Sequence, residues 1–149
     1  MKTNSNLPVE WLGDRVRILD QTRLPQQEVY LELTNCQDIA SAIVELKIRG
    51  APAIGILGAY GMALSALKIE TSDRHKFLHK LIGISQVFVL TRPTAQNLFQ
   101  AIDRMLKVAE AGKDTEQIKQ ALVSEAIKIH AEEDEACRML SQLGAELIQ

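Results

Sequence analysis

The sequence predicts an α+β fold: a mainly helical bundle carrying a small N-terminal antiparallel β-sheet. Three observations point there. Period-2 alternation of apolar and polar residues is confined to the first third of the chain. From Thr34 onward, apolar stripes at helical spacing follow one another, several led by cap chemistry. Aromatic residues are only 4% of the chain, so the core must rest on aliphatic side chains, which suits helices better than a β-sandwich. With 149 residues the length is that of about one domain. Within it we expect a small β subdomain over residues 1–33 and a helical subdomain over 34–149.

Val16 and Ile18 alternate with Arg15, Arg17 and Asp20, the pattern of a half-buried strand. Val29-Tyr30-Leu31-Glu32-Leu33 reads as a second strand, and Asp20-Gln21-Thr22-Arg23-Leu24-Pro25 between them is turn chemistry. Trp11 and Leu12, ahead of Gly13-Asp14, belong to the same sheet.

Thr34 and Gln37 have capping-box spacing and lead a helix through Ile39, Ile43, Val44 and Leu46, expected to stop near Arg49-Gly50. Pro52, suited to the first helical position, opens a second helix through the uncharged stretch Ala51 to Leu67. That stretch is shorter than the roughly 20 residues a membrane span requires, and it carries Gly55, Gly58 and Gly61. It is expected to be a helix buried in protein. A third helix starts near Ser72-Asp73 and runs through Phe77, Leu78, Leu81 and Ile82, with Val87-Phe88-Val89-Leu90 open to either helix or strand. Pro93 is expected to open a fourth helix through Leu98, Ile102, Met105 and Leu106. After the Ala111-Gly112-Lys113 break, Asp114 and Gln117 cap a long helix through Ile118, Leu122, Ile127 and Ile129. Met139, Leu140, Leu143 and Leu147 continue it or form a last short one.

Seventeen Lys and Arg against nineteen Asp and Glu leave a net charge of -2, so the long-range attraction that drives nucleic-acid or anionic-membrane binding is absent. Two cysteines, Cys36 and Cys137, are too few for a disulfide framework and have no metal-knuckle spacing. Met1 to Pro8 is polar, without the apolar stretch of a targeting signal. A cytoplasmic location follows as the expectation.

Arg49-Gly50-Ala51-Pro52 places an arginine and a side-chain-free backbone just ahead of a proline-led helix, and Thr91-Arg92-Pro93-Thr94 does nearly the same. Helix N-termini present unpaired N–H groups and partial positive charge, and so bind phosphate. An arginine beside each adds a planar fork for phosphate oxygens. The plainer alternative is helix capping, with both arginines exposed or paired to acids such as Glu45 and Asp103. Other candidates carry less. His75 and His79 share a helix face but lack a third zinc ligand. His130 with Glu132-Glu133-Asp134-Glu135 reads as a charged, exposed face. Cys36 and Cys137 read as small buried residues. Gly55, Gly58 and Gly61 read as helix-packing contacts; they follow no strand, as a dinucleotide fingerprint must.

Four segments occur in order: Leu19-Asp20-Gln21-Thr22-Arg23-Leu24-Pro25; Ile48-Arg49-Gly50-Ala51-Pro52-Ala53-Ile54-Gly55; Thr91-Arg92-Pro93-Thr94-Ala95-Gln96-Asn97-Leu98-Phe99; and Asp103-Arg104-Met105. Together they closely resemble the N-terminal half of the methylthioribose-1-phosphate isomerase family, over essentially the whole chain from Trp11 to Ile148. That family is related to the regulatory subunits of translation initiation factor 2B and to ribose-1,5-bisphosphate isomerase. The second and third segments at this separation are specific for the isomerase branch. The resemblance implies substrate contacts through Arg49, Gly50, Ala51 and Arg92, and an aldose–ketose isomerisation in methionine salvage. It also implies a sugar phosphate as small-molecule partner; neither a cofactor nor a metal is expected.

The family's catalytic cysteine and general-acid aspartate lie in a second, Rossmann-like domain introduced by a Thr-His-Cys-Asn-type motif. Neither Cys36 nor Cys137 stands in such a motif, and no aspartate matches, so no catalytic residue is assigned. The expectation is a substrate-binding half, inactive alone, completed by a C-terminal domain or a homodimer partner. Gln96 and Gln100 depart from the family's usual valine and tryptophan, and a polar Gln100 would loosen packing behind the Arg92 loop. The alternatives are a non-catalytic interaction module of the initiation-factor type, or a ribose-1,5-bisphosphate isomerase relative.

Overall fold

Residues 7–148 are described by the computed structural model. β1 (Val9–Trp11), β2 (Val16–Leu19) and β3 (Tyr30–Leu33) form one antiparallel sheet in the order β1-β2-β3. Trp11 pairs with Val16, and Ile18 with Leu31. The alternation read from the sequence holds: Val16 and Ile18 point into the core, while Arg17 on the other face pairs with Glu10 and lies over the Tyr30 ring. The Met1–Pro8 stretch falls outside the described residues as far as Asn6.

Among the described residues five helices follow. α1 (Cys36–Val44) is capped by Asn35, whose side chain accepts from the Asp38 N–H at 2.8 Å, one residue later than the expected Thr34 cap. Asparagine followed three residues on by aspartate is as good a cap as the threonine–glutamine pair beside it. α1 also stops five residues earlier than expected, at a left-handed Leu46 with φ 58, after which Ile48 turns inward and is fully buried. α2 (Ala51–Leu67) has Ala51, not Pro52, as its first residue. α3 (Arg74–Thr91), capped by Asp73, carries Val87–Leu90 as helix. Phe88 packs there against Gly61, and that tertiary contact outweighs the β-branched propensity of its neighbours. α4 spans Gln96–Ala111 and α5 spans Thr115–Leu147, the latter capped by Asp114 accepting from the Gln117 N–H. α5 is one unbroken helix of 33 residues.

α2 is the centre of the molecule. It is buried on every side from Ile54 to Ala66 and packs against all four other helices and against β1 and β2. Its glycines permit that crowding. A Cβ on Gly58 would lie 2.4 Å from Leu98 Cδ1, and one on Gly61 would lie 2.5 Å from Phe88 Cζ. No helix among the described residues is long and apolar enough to cross a membrane.

Candidate functional site

The loop between α1 and α2 is shaped by a Schellman motif. The Lys47 N–H donates to Ala42 O at 3.0 Å and the Leu46 N–H to Ile43 O at 3.3 Å, with Leu46 at φ 58. A leucine in this left-handed conformation is strained, since its Cβ crowds the following carbonyl. The exposed Arg49 then folds back, its Nε donating to Leu46 O at 3.2 Å. Gly50 caps α2 at φ 94 and ψ 129, which a side chain would resist, and no side chain caps the first turn. Pro52 has no N–H, so Ala51 and Ala53 supply the free donors there.

A second loop braces this one. Gln21 N–H donates to Lys47 O at 2.9 Å. Asp20, only 4% exposed, accepts from the Thr22 hydroxyl at 2.6 Å and the Thr22 N–H at 3.0 Å. Burial pushes the Asp20 carboxyl upward, but the two Thr22 bonds and the charges of Lys47 and Arg23 overcome it, so its pKa lies below the usual 3.8.

Arg92 sits differently from the expectation. Pro93 does not open α4; it takes the second position of a β-turn closed by the Ala95 N–H donating to Arg92 O at 3.0 Å, and α4 starts at Gln96. The preset φ of proline suits that turn position equally well. Arg92, extended at φ -144 and ψ 85 as a residue before proline should be, is the C-cap of α3. α4 nonetheless shares one property with α2: its cap, Ala95, offers no side-chain acceptor. The two helices touch near their starts, where Gly55 meets the Asn97 backbone. Neither Arg49 nor Arg92 forms an ion pair among the described residues. The acids that capping would have used are engaged elsewhere, Glu45 by Lys47 at 2.8 Å and Asp103 by Lys107 at 2.7 Å.

A cavity of about 220 Å³ adjoins the α2 start, lined among others by Pro52, Gly55, Asn97, Gln100, Arg104 and Glu133. Arg104 is gripped by Glu125 and by both oxygens of Glu132. Those bonds, Glu132's first, raise its pKa, and Arg104 in turn lowers that of Glu132. Tyr60 Oη lies 2.7 Å from His130 Nδ1, its ring stacks on Trp11, and burial, helped by the charge of Asp134, pushes its pKa up to about 12. His130, expected on an exposed charged face, is therefore turned inward, with its side chain 14% exposed. Tyr60 was the available signal: a buried phenol in an uncharged helix needs a polar partner. Cys137 is exposed, contrary to the expectation of burial, because α5 has outrun the bundle there; Cys36 is half-buried. His75 and His79 are exposed on α3.

The model of the Initiation factor 2 subunit family matches residues 47–149. The chain belongs to that family. Curated relatives are isomerases by name. The methylthioribose-1-phosphate isomerase of Dehalococcoides mccartyi (strain CBDB1) is 52% identical over 95% of this chain and 42% of its own length. That of Nostoc punctiforme is 45% identical over 99% of this chain and again 42% of its own. The chain thus spans well under half the length of these relatives. Among solved structures, 5-methylthioribose 1-phosphate isomerase from Pyrococcus horikoshii OT3 superposes with a TM-score of 0.81 at 34% identity, covering 85% of this chain and 37% of that one. The delta subunit of translation initiation factor eIF-2B from A. fulgidus gives 0.88 at 37% identity, covering 95% and 42%.

Proposed function

We propose that these residues form the substrate-binding N-terminal half of a methylthioribose-1-phosphate isomerase. The observation that carries the reading is the glycine-led start of α2, with no side-chain cap and with an exposed arginine just before it that forms no ion pair among the described residues. It lies in a chain 52% identical to a relative of that name. Arg49 and Arg92 neutralise and orient the phosphate, and the free N–H groups at Gly50-Ala51 take up its oxygens. Held at its 1-phosphate, the ring-opened sugar is presented for transfer of hydrogen from C2 to C1, turning the aldose into the ketose. The groups that move this hydrogen belong to a further domain or a partner chain, so the 149-residue chain alone turns nothing over. We place it in the cytoplasm, where the free thiols of Cys36 and Cys137 remain reduced.

Calorimetric titration of the purified chain with methylthioribose 1-phosphate tests this. Binding by the wild type, lost in Arg49→Ala and Arg92→Ala with the fold intact, supports the reading. Isomerase turnover by the chain alone sinks the claim that catalysis is supplied elsewhere. Absence of wild-type binding favours the second reading, an interaction module of the initiation-factor type, which the superposition on the A. fulgidus subunit supports.

A further inference from the structure

The two arginine-bearing segments belong to different loops, so one phosphate can use both only if the helices behind them keep a fixed separation. Of the three α2 glycines, Gly55 alone faces backbone. A Cβ there would stand 2.9 Å from Asn97 O, 3.2 Å from Asn97 C and 3.3 Å from Asn97 Cβ. At Gly58 and Gly61 the nearest atoms are the ends of the buried Leu98 and Phe88 side chains, which can shift by side-chain adjustment while their backbones stay in place. A peptide group cannot. It retreats only by taking the first turn of α4 with it.

Short rigid links carry such a shift to both arginines. On the α4 side, Asn97 connects to Arg92 through the closed turn in which the Ala95 N–H donates to Arg92 O at 3.0 Å, and the Phe99 N–H donates to Ala95 O at 3.1 Å. On the α2 side, the Ile54 N–H donates to Gly50 O at 3.0 Å, tying Gly55 to the loop of Arg49. The Gly55–Asn97 contact also forms part of the wall of the cavity beside the α2 start.

We propose that Gly55 is a positioning residue, whose missing side chain sets the separation between the Arg49 and Arg92 segments and thereby the grip on a sugar phosphate. The proposal rests on the reading that both arginines hold one phosphate ester. Relieving the contact at residue 55 takes a shift of about half an ångström, and a misplacement of that order weakens a two-point grip by about tenfold.

Gly55→Ala and Gly58→Ala separate this role from mere packing, since both burden the same α2–α4 interface. In the full chain at 25 °C, the measurements are the Kd for methylthioribose 1-phosphate, the thermal midpoint, and the backbone amide shifts of Arg92 to Asn97. The expected result is a Kd raised about tenfold in Gly55→Ala but within about twofold of wild type in Gly58→Ala, even where the two midpoints fall alike. Amide shifts in the 92–97 segment accompany only the first. Equal effects on Kd overturn the proposal, as does a Gly55→Ala chain that binds normally or does not fold. If the wild type binds no sugar phosphate, the reading beneath has failed, and the proposed role in binding falls with it. The amide shifts then report separately whether Gly55 sets the loop separation.

Discussion

Tyr60 on α2 and His130 on α5, seventy positions apart in sequence, meet with 2.7 Å between phenol oxygen and Nδ1. The contact ties the buried central helix to the longest one, and Trp11, stacked on the Tyr60 ring with centroids 5.3 Å apart, adds the sheet. Tyr60→Phe keeps both ring contacts and removes only the hydroxyl, so it should lower stability by about 1 kcal/mol. His130→Ala leaves a buried hydroxyl unpaired and should cost about 1–3 kcal/mol. Urea denaturation of both variants checks the order; equal losses would contradict it.

The same phenol predicts a pH dependence. Its pKa is raised from 10.0 to about 12 in the folded chain, so the folded state holds the proton more tightly than the unfolded one. That contribution is complete below pH 10 and is lost as pH rises toward 12, by an amount on the order of 2–3 kcal/mol. Stability curves of wild type and Tyr60→Phe should therefore converge or cross in that window. A constant difference across it would show that the phenol is not held neutral.

Asp20 works in the opposite sense. Its folded pKa lies below 3.8, so its contribution is present above that value and disappears as pH falls through the folded one. Asp20→Ala should cost about 1–3 kcal/mol at neutral pH, by leaving the Thr22 donors unmatched. The difference from wild type should shrink in acid. Because Gln21 is bonded to Lys47, the same substitution should, on the proposed function, also weaken sugar-phosphate binding by slackening the loop of Arg49. Denaturation at pH 7 and pH 3, with calorimetry at pH 7, reads both effects.

Leu46 and Gly50 form a natural pair of opposites. Each has positive φ, but only one is glycine. Leu46→Gly should stabilise the chain by about 1 kcal/mol, because strain at the end of α1 is relieved. Gly50→Ala should destabilise it by roughly 1–2 kcal/mol, although the space around it is open, because the backbone and not a clash opposes a side chain there. Thermal melts of the two variants should move in opposite directions.

These pairs show what could and could not be read in advance. The strands were legible because Val16 and Ile18 alternate with charges, and α2 because an uncharged run of this length has nowhere to go but inside. The expectation that α1 reaches Arg49 failed on Leu46: a left-handed leucine carries no sequence mark, whereas a glycine there would have announced the stop. Pro93 fits a turn and a helix start equally well, and only the chain around it decides. Arg49, Gly50, Ala51 and Arg92 are candidates that residue types and family resemblance already name. The Gly55–Asn97 approach, the Tyr60–His130 bond and the grip of Glu125 and Glu132 on Arg104 join distant positions, and spacing along one sequence does not encode them.

The burial of α2 has a last consequence, for time and not for shape. A helix apolar all round has no stable existence in water before the rest of the core closes on it. Its amides from Ile54 to Ala66 are surrounded by every other helix, so their hydrogens should exchange only when the whole chain opens. The Gly55 and Asn97 peptides, in contact near the head of α2, belong to that same closed core. The loops of Arg49 and Arg92 are thus carried by a frame that is entire or absent.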